Sequence, residues 1–95
     1  MKNQTIDVIK LAQEKFPDAM LVEGFDEALI GFSIRLPSKT NFVYSISKII
    51  NILMKRDGMG YVEAEEYYAF NIEGAYFGDD ISPVYIDDRH NYKNN

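Results

Sequence analysis

Ile46, Ile49, Ile50, Leu53 and Met54 fall at i, i+3, i+4, i+7 and i+8. That spacing puts five apolar side chains on one face of a helix with 3.6 residues per turn. It predicts a helix that starts at Ser45 or Ser47 and runs to about Arg56. Lys55 and Arg56 close its last turn, where cations suit the negative end of the helix dipole, and Asp57-Gly58 stops it. A further helix is predicted from about Tyr61 to Asn71, with Gly60 at the N-cap and Glu63 reaching back to the free backbone donors. On it, Ala64, Tyr67, Tyr68 and Asn71 share the apolar side, while Glu65, Ala69 and Glu73 lie on another, with Glu66 near them. An N-terminal helix from Gln4 to Lys15 is capped by Asn3 or Thr5 and stopped by Pro17.

Between these helices the period shortens to two. "AMLVEGF" reads as a first strand ending at Gly24, and "ALIGFSIR" as a second. In the second, Ala28, Ile30, Phe32 and Ile34 point one way and Leu29, Gly31, Ser33 and Arg35 the other. "LPSKTN" has turn chemistry, and "FVYS" is a short third strand. "VYI", after Pro83, allows a fourth strand at a sheet edge. The expected fold is α+β: a three-stranded, optionally four-stranded, antiparallel sheet packed by two or three helices. Its expected core is Ile30, Phe32, Ile34, Val43, Ile46, Ile49, Ile50, Leu53, Tyr67 and Phe70. Residues 1–88 form one domain, and residues 89–95 a polar tail, with fraying from Asp87 onward.

The chain of 95 residues supports a modest core and no large enclosed active site. It has no cysteine, which excludes disulfides, thiolate chemistry and cysteine-ligated zinc, and fits a cytoplasmic protein. "MKNQTIDVIK" has no apolar stretch of the kind found in export signals, and "IINILM" is far short of the roughly 20 residues of a membrane span.

Charge is segregated. From Ala28 to Arg56 there are five cations and no acid; from Asp57 to Asp88 there are nine acids and no Lys or Arg. Such blocks either neutralise each other across the fold or present an acidic face to a partner. The net charge of −5 argues against nucleic acid as a partner. Phe42 and Tyr44 in the basic block could stack bases, but the alternation turns both rings inward.

"GFDEALIGF", "FVYS" and "INILMKRDGMGYVEAEEYYAFNIEGAYFGDDISPVYI" together resemble a family of small bacteriophage and bacterial proteins. Its pattern runs from a Gly-Phe and a short acidic link through Ala-hydrophobic-Ile-Gly, a Val-Tyr strand and Asp-Gly-Met. A Glu-Ala-x-Glu helix, Phe-Asn, Gly-Ala-aromatic-x-Gly-acid and a closing Pro-x-aromatic follow. The resemblance spans Gly24 to Ile86. Gly60 departs from the usual Ser or Thr, Ser82 from Thr, and Tyr85 from the commoner Phe. The resemblance implies a phage or prophage accessory protein, and no reaction.

Chemistry-bearing residues are few. No nucleophile stands at a recognisable spacing from the single histidine, and no phosphate loop is present, so no catalytic residue, cofactor or enzyme activity is assigned. Glu63, Glu66, Asp79, Asp80, Asp87, Asp88 and His90 offer metal-ligand atoms, but without a twelve-residue calcium loop, and no metal is assigned. Asn71 either ties down the turn after its helix or offers its amide to a ligand. The second option defines a candidate pocket of Tyr67, Tyr68, Asn71 and Tyr76 for a small ligand or nucleotide. The leading expectation is a non-enzymatic, phage-type accessory protein in the host cytoplasm. It would bind a host protein, for example a defence component, or a copy of itself, through an interface of Glu63, Glu65, Glu66, Asp79 and Asp80.

Overall fold

Ser45 is where strand becomes helix. Its backbone is still extended (φ −86°, ψ 122°), and its hydroxyl accepts the Lys48 N–H at 3.2 Å, meeting one of the free donors of the first turn. The computed structural model describes residues 9–11, 13–35, 39–75, 78 and 81–89. Residues 9–11 and 13–15 are helical (α1). A 3₁₀ turn at Asp26–Ala28 leads into β1 (Leu29–Arg35), followed by β2 (Lys39–Ser45). Helix α2 (Ile46–Asp57) follows at once, then α3 (Tyr61–Tyr67), a π-helical extension (Tyr68–Glu73) and β3 (Val84–Ile86).

Helix α2 matches its sequence pattern. Ile46, Ile49, Ile50 and Leu53 are buried, and Gly58 ends the helix in the left-handed region at φ 72°. The core gathers Phe25, Ala28, Phe42, Tyr44, those four α2 residues, Ala64, Tyr68 and Ile72. The fold is α+β, as expected, but the sheet is not an antiparallel meander. Its order is β1-β2-β3, with β1 antiparallel and β3 parallel to β2. The helices of the crossover return the chain to the far edge of β2 in the same direction, which is what a parallel neighbour requires. Residues 19–25 form no strand. Ala19, Leu21 and Val22 pack on the core, and the segment is held by Met20 N–H to the Ile81 carbonyl (3.0 Å) and Val22 N–H to the Tyr44 hydroxyl oxygen (2.8 Å).

The expected core also needs correction on β1. Ile30, Phe32 and Ile34 are exposed, Ile34 at 71%. Two causes combine. The register shifts between Leu29 and Gly31, so Leu29 pairs with Tyr44 and Ile30 is the extra residue of a bulge. Strand β1 is also at the sheet edge, while the core packs on the central β2, where Phe42 and Tyr44 are fully buried. Phe32 keeps ring contacts with Phe42 and with Phe16 after α1, at 6.4 and 6.1 Å.

The helix that starts at Tyr61 widens at Tyr68. A π turn bonds i to i+5 and so spends one more residue than an α turn. Burial therefore passes from Ala64 and Tyr68 to Ile72, not to Asn71, which is exposed. The Gly74 N–H reaches the Ala69 carbonyl at 3.1 Å, an i→i−5 bond. Gly74 has an ordinary right-handed backbone (φ −69°). Its glycine is needed for space: a Cβ there would sit 2.8 Å from the Phe70 carbonyl oxygen and 3.2 Å from that of Ala69. Gly74→Ala should therefore destabilise by about 1–3 kcal/mol. Thermal denaturation followed by circular dichroism measures it, and an unchanged midpoint would refute this account of the turn.

Candidate functional site

On α3 and its extension, Glu63, Glu66, Tyr67 and Phe70 stand at i, i+3, i+4 and i+7, so they form one stripe, away from the buried Ala64 and Tyr68. Phe70, expected in the core, is 80% exposed, and Tyr67, also expected there, is 41% exposed. Val62 flanks them at 65%. Apolar side chains scattered singly on a surface are ordinary, but Tyr67 and Phe70, three residues apart, adjoin on one face of the helix. Glu63, Glu66 and Glu73 are exposed around it and form no salt bridge among the described residues.

Glu65 is different. It is half-buried and accepts from the Arg89 guanidinium at 3.3 Å. It also accepts the Tyr61 hydroxyl, and this hydrogen bond, more than the partial burial, raises the Tyr61 pKa. Arg89 is held as well by Asp87, at 2.8 Å from Nε and 2.8 Å from Nη2. That bonding to Asp87 raises the guanidinium pKa against its own desolvation. One residue earlier, Asp88 caps α2. It accepts the Ser45 hydroxyl at 2.5 Å and the Ser47 N–H at 2.9 Å. Burial alone would raise the Asp88 pKa, but the hydrogen bonds from Ser45 and Ser47 outweigh it and lower it. Residues 87–89, expected to fray, are thus tied to α2 and α3.

Of the proposed interface acids, then, Glu63 and Glu66 face outward, Glu65 holds Arg89, and Asp79 and Asp80 lie outside the described residues. Of the proposed pocket residues, Tyr67 points out and Tyr68 points in, and Tyr76 lies outside the described residues. Asn71 lines a crevice of about 180 Å³ with Val22, Ile72, Pro83 and Tyr85, which neither Tyr67 nor Tyr68 lines. Tyr68 instead packs its ring edge-on to Tyr85 at 5.5 Å, and Tyr85 lies 6.2 Å from Tyr44. Burial pushes the Tyr44 hydroxyl up to about 12, although the Val22 N–H it accepts opposes this.

A larger open cleft, of about 460 Å³, lies on α2. Its lining residues are Ser47, Lys48, Ile50, Asn51, Met54, Tyr61 and Arg89. Lys48 forms no salt bridge among the described residues, nor does Lys55 about two helical turns further on. Arg56, by contrast, pairs with Asp57 at 3.0 Å, donates to the Gly24 carbonyl at 2.8 Å and stacks over Phe25 at 4.8 Å. The basic and acidic blocks of the sequence therefore join only at Arg56–Asp57 among the described residues. Among those residues, too, no three acids or histidines converge as metal ligands, and no helix is long and apolar enough to cross a membrane.

Sequence reasoning missed this cleft, the cap by Asp88 and the outward turn of Phe70. The first two join distant stretches and leave no local pattern. The third did leave one, since Phe70 stands at i+7 from Glu63 and i+4 from Glu66 on any regular helix. In comparisons with known proteins, no family model, no curated protein and no solved structure matches the chain.

Proposed function

We propose that this chain is a small, non-enzymatic accessory protein that acts by protein–protein binding through the outward stripe of α3. The observation that carries this reading is the 80% exposure of Phe70 on the same stripe as Glu63 and Glu66, which form no salt bridge among the described residues. Aromatic residues that leave water on binding dominate interface energetics, and flanking acids steer and select a basic partner. The phage-type setting, in the host cytoplasm and directed at a host factor such as a defence component, rests on the sequence resemblance alone. Glu65 is removed from the interface set, because it supports Arg89 instead.

Capture from bacterial lysate with the wild-type chain and with a Phe70→Ala, Glu66→Lys variant tests the reading. Burying a phenylalanine is worth about 1.5–3 kcal/mol, or roughly ten- to hundredfold in affinity. Proteins retained by the wild type should be lost from the variant, while the melting midpoint stays within a degree or two, as expected of exposed positions. An identical set retained by both would sink the assignment to this stripe.

A further inference from the structure

Two stripes of opposite sign lie on neighbouring helices of one molecule. On α2, Lys48, Asn51 and Lys55 stand at i, i+3 and i+7, all exposed; Lys48 and Asn51 line the cleft that holds Ile50 and Met54, while Lys55 lines a neighbouring one with Asp26 and Glu27. On α3 and its extension, Glu63, Glu66 and Phe70 stand at the same spacing, also exposed. Neither set of charges is satisfied within its own chain among the described residues. The neighbouring arginines are engaged elsewhere. Arg89, on the cleft wall, is held by Asp87 and Glu65, and Arg56 by Asp57 and the Gly24 carbonyl. The helix start beside the cleft is already occupied, with the Ser47 N–H bonded to Asp88 and the Lys48 N–H to Ser45. A free anion therefore finds only the Lys48 ammonium there. A partner that brings an aromatic knob and acids on helical spacing finds Ile50, Met54 and the Lys48 ammonium together.

We propose that the partner of the α3 stripe is a second copy of this chain, with Phe70 seated in the Ile50–Met54 cleft and Glu63 and Glu66 facing Lys48 of that copy. The inference rests on the preceding reading of the stripe and names its occupant. The cleft, at about 460 Å³, has room for a phenyl ring. Charge complementarity fixes the sense of docking, acidic stripe on basic stripe, and disfavours stripe on like stripe. Stable interfaces bury about 800 Å² on each partner, and one helical stripe is smaller. The association is therefore weak, dependent on concentration and sensitive to salt.

Analytical ultracentrifugation of the whole chain tests this, from micromolar to millimolar protein at low and high salt. The weight-average mass should rise with concentration at low salt and fall back at high salt. Phe70→Ala and Lys48→Glu should each weaken association about tenfold or more. Glu66→Lys should do the same. Mixed in equal amounts, the Glu66→Lys and Lys48→Glu chains should associate again, because the mixture restores an intact stripe opposite an intact cleft. Circular dichroism confirms that each variant is folded before it is counted. A wild-type chain that stays monomeric throughout, or a Lys48→Glu chain that associates like the wild type, overturns the proposal. The first result, together with loss of captured proteins by the Phe70→Ala, Glu66→Lys variant, leaves the binding stripe standing with a different partner. Variants that alter neither mass nor capture remove both.

Discussion

Tyr68→Ala should destabilise the fold by about 3–5 kcal/mol, whereas Tyr68→Phe should leave the stability unchanged or raise it. The contrast follows from one side chain. Its ring is 2% exposed and packs on Tyr85, so truncation leaves a large cavity between α3 and the sheet. Its hydroxyl is buried with no hydrogen-bond partner among the described residues. Burial pushes its pKa well up, with the nearby Glu73 and Tyr85 adding to the effect, so it stays neutral at any ordinary pH. Removing an unpaired buried hydroxyl removes its desolvation penalty and little else. Against a typical total of about 5–15 kcal/mol, the alanine variant has lost a large share of the folding free energy. Urea denaturation of both variants decides it. A Tyr68→Phe chain clearly less stable than the wild type would show that the hydroxyl is bonded in solution.

Asp88→Ala should cost about 2 kcal/mol, because it removes a charged helix cap and leaves the buried Ser45 hydroxyl without its acceptor. Asp88→Asn isolates the part due to charge. The carboxylate has a folded-state pKa below its unfolded value of 3.8, so it contributes stability that is fully present above that value. The contribution is lost as pH falls below 3.8 through the lowered pKa of the folded state. The gap in melting midpoint between wild type and Asp88→Asn should therefore be constant near neutrality and close in that acid range. A gap independent of pH would rule out a charged cap.

Where one local period governs a segment, the sequence was readable. Helix α2 obeys a single 3.6 period, is capped by Ser45 next to it and ends at Gly58 next to it, so its limits and buried face follow directly. The acidic stripe was half legible. Glu63 and Glu66 were placed on the surface, but Phe70 was assigned inward for its hydrophobicity against its position on the helix. Residues 19–25 have a strand's composition, yet their backbone is bent around Tyr44 and the core. Strand β3 takes its parallel direction from the crossover, which no local pattern encodes. The π turn is set by packing of Tyr68 and Ile72, and only the close quarters at Gly74 hint at it. The cap by Asp88 joins residues 41 and 43 positions apart, beyond any window of periodicity.

That same clasp has a consequence for the order in which the chain takes shape. The β1–β2 hairpin and α2 use contacts close in sequence and can assemble early. The β2–β3 pairing and the Asp88 cap close a loop that contains both α2 and α3, and the entropy of that closure must be met before any contact rewards it. During synthesis, α2 therefore lacks the carboxylate at its start, and β2 its parallel neighbour, until residues 84–88 have left the ribosome. In that interval the free edge of β2 is the surface most open to pairing with another nascent chain.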